Sequence, residues 1–155
     1  MDNDPNVESV KQIEKNLRKV DHIIRKKGRL ILKDFNITVP QFEALQYLYH
    51  NENYHDENMT IGQLSHKMHL AFSTVTDLID RMENAELVSR MKDPNDKRIV
   101  RLKVLTKGFD VLDNVLTRRI EYLSGKLASL SYEEKEKLDK ILQRLFEVMD
   151  EDRKQ

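Results

Sequence analysis

Apolar residues recur along this chain in two rhythms, one of helices and one of strands. From Val10 they fall at Ile13, Leu17, Val20, Ile24 and Ile31. Steps of three and four predict a long helix whose stripe faces a core or a partner helix. Thr38, Val39, Pro40 and Gln41 then form a capping box, the Thr38 hydroxyl capping and Gln41 reaching back. Pro40 suits a first turn, where a backbone N–H has no helical partner to lose. The helix opened there carries Phe42, Leu45, Leu48 and Tyr49, and the polar run from His50 to Asn58 reads as a loop. Thr60 to Gln63 repeats the capping pattern and starts a short helix ending near His69. A second short helix runs from about Phe72 to Ala85, with Val75, Leu78, Ile79 and Met82 on its apolar face.

Beyond Ala85 the period shifts towards two. Leu87 to Met91 and Ile99 to Val104 read as strands, joined through Asp93, Pro94, Asn95 and Asp96. That run is turn chemistry, because proline presets φ and Asn or Asp side chains accept their own backbone N–H groups. Two short helices in tight succession predict a helix-turn-helix, whose second member can enter a DNA major groove, and the hairpin behind it is a wing. The remainder is helical, from about Lys107 to Leu127 and from Tyr132 to Asp152, with a third capping box at Ser131 to Glu134. Leu138, Ile141, Leu142, Leu145 and Met149 form the last apolar stripe. The expected class is mainly α with a small β-hairpin wing: one domain over 1–155, a winged helix-turn-helix lobe at 38–104, and dimerisation helices at 7–34 and 107–152.

Composition narrows the function classes. With no cysteine, thiol redox sensing, disulfides and thiolate metal sites are excluded. No apolar run nears the ~18 residues of a membrane span, and Met1 to Pro5 lacks a signal-peptide plan, so a cytoplasmic protein with no membrane partner is expected. The 27 basic and 27 acidic residues cancel, which argues against a polycation coating nucleic acid without selection. The charge is nonetheless uneven: from Val88 to Gly108, seven basic residues face two acidic ones, Asp93 and Asp96. No Gly-rich phosphate loop, nucleophile–base pair or framed carboxylate pair suggests an enzyme, and no cofactor is implied. His50, His55, Asp56 and Glu57 share one loop without ligand spacing, and His66 with His69 has no third ligand nearby, so no metal is expected.

In order and length the chain resembles the multiple-antibiotic-resistance regulator (MarR) family. The resemblance is sharpest from Ser73 to Glu83, at Leu87 and Val88, from Asp96 to Leu102, and at Lys107 and Gly108. It implies a transcriptional regulator, a repressor, that binds a palindromic operator in double-stranded DNA as a homodimer and is released by a small aromatic effector. It also implies that Arg98 enters the minor groove at the wing tip, with Asp96 as the acidic partner holding it, and Lys97 and Arg101 on phosphates. Ser73, Thr74 and Thr76 suit base edges near a recognition-helix start, though such residues also serve as ordinary helix starts. Arg81 reaches phosphate or base, or else pairs with Asp77 or Asp80. Gln63 presents amide groups to phosphate, or serves only its cap. Phe42, Tyr47, Tyr49 and Phe72 line an effector cleft or pack as core.

Three positions depart from the family pattern. Glu86 stands where the family places glycine, implying a cost of about 1 kcal/mol or a shifted helix end. Ala71 replaces a capping Ser or Thr, and Thr106 lies one place late before Lys107 and Gly108. The competing reading is an architectural or adaptor protein that uses the same fold without regulated release.

Overall fold

A computed structural model describes residues 5–55 and 57–151. The Met1–Asp4 stretch, Asp56 and the expected helix end at Asp152 lie outside the described residues. In chain order the elements are α1 (Pro5–Asp34), α2 (Val39–Tyr54), α3 (Ile61–Met68), α4 (Phe72–Asn84), β1 (Val88–Lys92), β2 (Val100–Val104), α5 (Thr106–Leu127) and α6 (Tyr132–Glu151). Contacts divide the chain into two compact units, residues 1–117 and 118–155.

Three helices start on reciprocal caps. At α2 and α3 the glutamine carbonyl oxygen accepts the cap residue's N–H, at 2.9 Å for Gln41 and Thr38 and 2.8 Å for Gln63 and Thr60. At α6, Ser131 N–H donates to Glu134 at 2.7 Å and Glu134 N–H donates back to the hydroxyl at 3.2 Å. Each cap satisfies first-turn N–H groups that have no intrahelical partner. α4 has no such help, because Ala71 forms no side-chain cap. At its other end Glu86 takes the left-handed conformation at φ 60°, in the place a helix end normally gives to glycine.

One expectation is corrected. α2 continues to Tyr54 instead of yielding to a loop at His50. Asn53 donates to the Tyr49 carbonyl at 2.8 Å, and the His50 and Tyr54 rings stack 4.5 Å apart, so polar side chains support the extra turn.

The core of the first unit gathers Ile31 and Leu32 of α1, Phe42, Leu45 and Leu48 of α2, and Leu64 of α3. Val75, Ile79 and Met82 of α4, Val88, Leu102 and Val104 of the hairpin, and Leu112 and Val115 of α5 complete it. The strands are antiparallel in the register Val88–Val104, Arg90–Leu102 and Lys92–Val100. An isolated bridge between Thr60 and Arg101, with Leu102 N–H donating to Met59 O at 2.7 Å, ties the hairpin to the start of α3. Gly108 lets α5 approach closely: a Cβ there would lie 2.3 Å from the Leu87 carbonyl oxygen. In the second unit, the end of α5 leads to α6, whose apolar stripe is exposed throughout.

Candidate DNA-binding surface

The polar start of α4 stands on the solvent side of a buried face. Val75, Leu78, Ile79 and Met82 turn into the core, which leaves Ser73 and Thr74 exposed. Thr76 is half-buried, and its hydroxyl donates to the Phe72 carbonyl at 2.9 Å, four residues back. Arg81 is exposed and donates through Nε to the Asp77 carbonyl at 3.2 Å. The Asp80 carboxylate, one of the alternatives for Arg81, is taken by Arg90 instead. On α3, Gln63 uses its carbonyl oxygen for the cap, and its NH₂ end is the remaining donor.

The wing is a loop over residues 93–99 built around two carboxylates. Asp93, only 6% exposed, accepts the N–H groups of Asn95 at 2.8 Å and Asp96 at 3.0 Å. It also accepts Arg101 Nε. The Arg101 guanidinium, then the two amides, hold the Asp93 carboxyl down to about 2. Asp96 in turn grips Arg98. Oδ1 accepts Arg98 N–H at 3.0 Å and Nε at 3.1 Å, while Oδ2 accepts Nη2 at 3.1 Å. That fork lowers the Asp96 pKa and leaves the Arg98 side chain 91% exposed, aimed into solvent with its orientation set. Lys97 beside it is exposed.

Arg101 is placed differently from its expected phosphate role. Its guanidinium turns inward to Asp93, to Glu57 at 2.7 Å and to the Asn58 carbonyl at 2.7 Å, and its side chain is 18% exposed. A cation with that many internal partners braces the outer part of the hairpin against the α2–α3 connection.

Sequence reasoning missed a second brace. Arg90 of β1 donates to Glu83 and Asp80 of α4 at 2.5 and 2.6 Å. The sequence offers only a faint hint, two acids three apart on one helix face, because the arginine that meets them lies on the next strand and reaches them through packing.

The aromatic candidates for an effector cleft scatter. Phe42 is sealed in the core at 2% exposure, Tyr49 sets its ring edge against Phe109 at 5.8 Å, and Tyr47 and Phe72 are exposed. None lines the open pocket of about 350 Å³ formed by Asn51, Met59, Gly62, Gln63, His66 and Lys67. The His66 and His69 rings lie 6.4 Å apart, and among the described residues no three metal-ligating side chains converge. No described helix is long and apolar enough to cross a membrane.

Known proteins share this plan. The MarR family model matches residues 37–100. The chain is 48% identical over 143 residues to the HTH-type transcriptional regulator YsmB of Bacillus subtilis, spanning 92% of this chain and 94% of that protein. A MarR family protein from Bacillus stearothermophilus superimposes with a TM-score of 0.81 at 39% identity, covering 92% of this chain and 96% of that one. The transcriptional regulator Tm0710 from Thermotoga maritima does so with a TM-score of 0.74 at 31% identity, covering 94% and 99%. A helix-turn-helix backed by an arginine-tipped hairpin, in a chain this similar to such regulators along nearly its whole length, belongs to the MarR family of DNA-binding transcriptional regulators.

Proposed function

We propose that this regulator represses transcription by binding a near-palindromic operator as a homodimer. Each protomer lays α4 in a major groove, with Ser73, Thr74 and Thr76 near base edges, and sends Arg98 into the neighbouring minor groove. Lys97, Arg81 and the Gln63 amide face phosphates. Arg101 and Asp96 support the wing from within. The carrying observation is Arg98 itself, 91% exposed yet held by its backbone and side chain to Asp96. An exposed cation whose direction is prearranged suits the deep negative potential of a narrow minor groove.

Dimer formation is supported by apolar faces left uncovered within one chain. On α1, Val10, Ile13, Leu17, Val20 and Ile24 are all at least 44% exposed. On α6, Ile141, Leu142, Phe146 and Met149 are exposed as well. Contiguous apolar faces of this extent mark interaction surfaces. Two copies then meet successive major grooves about 34 Å apart. For release by a small aromatic effector, the ring-bearing candidates with exposed surface are Tyr47, Tyr49 and Phe72.

The test uses a duplex selected by the protein from a randomised pool, with anisotropy titration at physiological salt. Arg98→Ala is expected to lose at least tenfold in affinity, in line with a base or groove contact of about 1–3 kcal/mol, at unchanged melting temperature. An unselective pool, or a variant that binds as tightly as wild type, overturns the proposal.

A further inference from the structure

Arg90 occupies the middle of β1 and joins it to α4 by three bonds. Its backbone N–H donates to Glu83 Oε1 at 3.0 Å, Nη1 to Glu83 Oε2 at 2.5 Å, and Nη2 to Asp80 Oδ1 at 2.6 Å. Asp80 and Glu83 lie one turn apart on α4, so a planar guanidinium meets both at once. The Arg90 side chain is 26% exposed and its Glu83 bonds are half-buried, so solvent weakens these less than it does the bond to the more exposed Asp80. Desolvation opposes the charge, but the bonds from Asp80 and Glu83 outweigh it and raise the Arg90 pKa.

What the clamp spans gives it meaning. Between α4 and β1 lie only Ala85, Glu86 and Leu87, and Glu86 sits at φ 60°. Leu87 and Val88 anchor the base of the hairpin in the core, whereas Met91 and Lys92 further out are exposed. Arg101 ties the outer wing towards the α2–α3 connection; Arg90 ties it towards the helix that carries Ser73, Thr74 and Thr76.

We propose that Arg90 is a positioning residue that sets the wing at a fixed angle to the recognition helix, so that Arg98 and the start of α4 reach one duplex together. The inference rests on the DNA-binding reading above. Without the clamp the hairpin keeps its core anchors and its ties to Met59 and Thr60 but loses its fixed setting against α4, so Arg98 shifts out of its groove while the start of α4 keeps its own contacts.

A double-mutant cycle on the selected duplex tests this. Arg90→Gln is expected to weaken binding roughly tenfold when Arg98 is present, and by no more than about twofold in the Arg98→Ala background. Its salt slope should fall by about one per protomer, as that of Arg98→Ala does, because the same cation leaves the minor groove. Arg90→Lys keeps the charge but cannot fork across both acids; it should lose about threefold with the same non-additivity, and it serves should Arg90→Gln fold poorly. Penalties that multiply would mean that Arg90 merely masks two carboxylates from phosphate, and would overturn the inference. So would an Arg90→Gln protein that binds like wild type. An Arg98→Ala protein with full affinity sinks the wing reading itself, an outcome separate from either.

Discussion

Asp93 shows how much one side chain organises. It is nearly buried, it closes the wing turn through two backbone amides, and it receives Arg101 from the second strand. Its folded pKa of about 2 lies below the ordinary 3.8, so its contribution to stability is present above about pH 4 and is lost as pH falls towards 2. Asp93→Asn should therefore melt lower than wild type at neutral pH, with the gap closing on acidification through that window. A gap that stays constant with pH would show that the carboxylate's charge is not what stabilises the turn. Gly108 makes the complementary point about shape. An added Cβ would meet the Leu87 carbonyl oxygen at 2.3 Å and Val104 Cγ1 at 2.9 Å, and the carbonyl cannot rotate away as a side chain can. Gly108→Ala is expected to lose about 1–3 kcal/mol in urea unfolding, the range for overpacking a fitted core.

At the scale of elements, α4 is a short helix with a weak start and a strained end. Ala71 supplies no capping group, and Glu86 adopts φ 60°, where a Cβ is penalised. Glu86 lies 3.8 Å from Lys107, both well exposed, a pair too solvated to offset that penalty. Glu86→Gly should raise stability by about 1 kcal/mol, read as a higher unfolding midpoint. If Glu86→Gly lowers the midpoint instead, the Glu86 side chain has a role that its conformation hides. The helix holds despite its ends because four of its side chains are fully or nearly fully buried, and tertiary packing outweighs local propensity in a helix this short.

At the scale of the whole molecule, the question is what covers α1 and α6. Leu17→Glu on α1, or Leu142→Glu on α6, places a charge in a face that is exposed in one chain and that the proposed dimer would bury. Either is expected to shift the sedimenting species from dimer to monomer. Operator affinity should then fall by about 100-fold or more, since linking two half-sites gives avidity of that order. A dimer that survives both changes would place the interface elsewhere.

Local chemistry was legible in the sequence to the extent that its partners are neighbours. The Thr38, Thr60 and Ser131 caps each link residues three apart, and helix and strand periods follow from which side of an element faces water. The Asp96–Arg98 fork spans two residues as well, and it was the family resemblance that implied it. Where partners are far apart the chain alone was silent. Arg101 finds the Asn58 carbonyl 43 residues away, a partner that no local pattern announces. The Arg90 clamp and the close approach at Gly108 exist only once α4, β1 and α5 have packed on a shared core. A charged side chain in sequence declares what it can bond, but only the fold decides whether protein or solvent reaches it first.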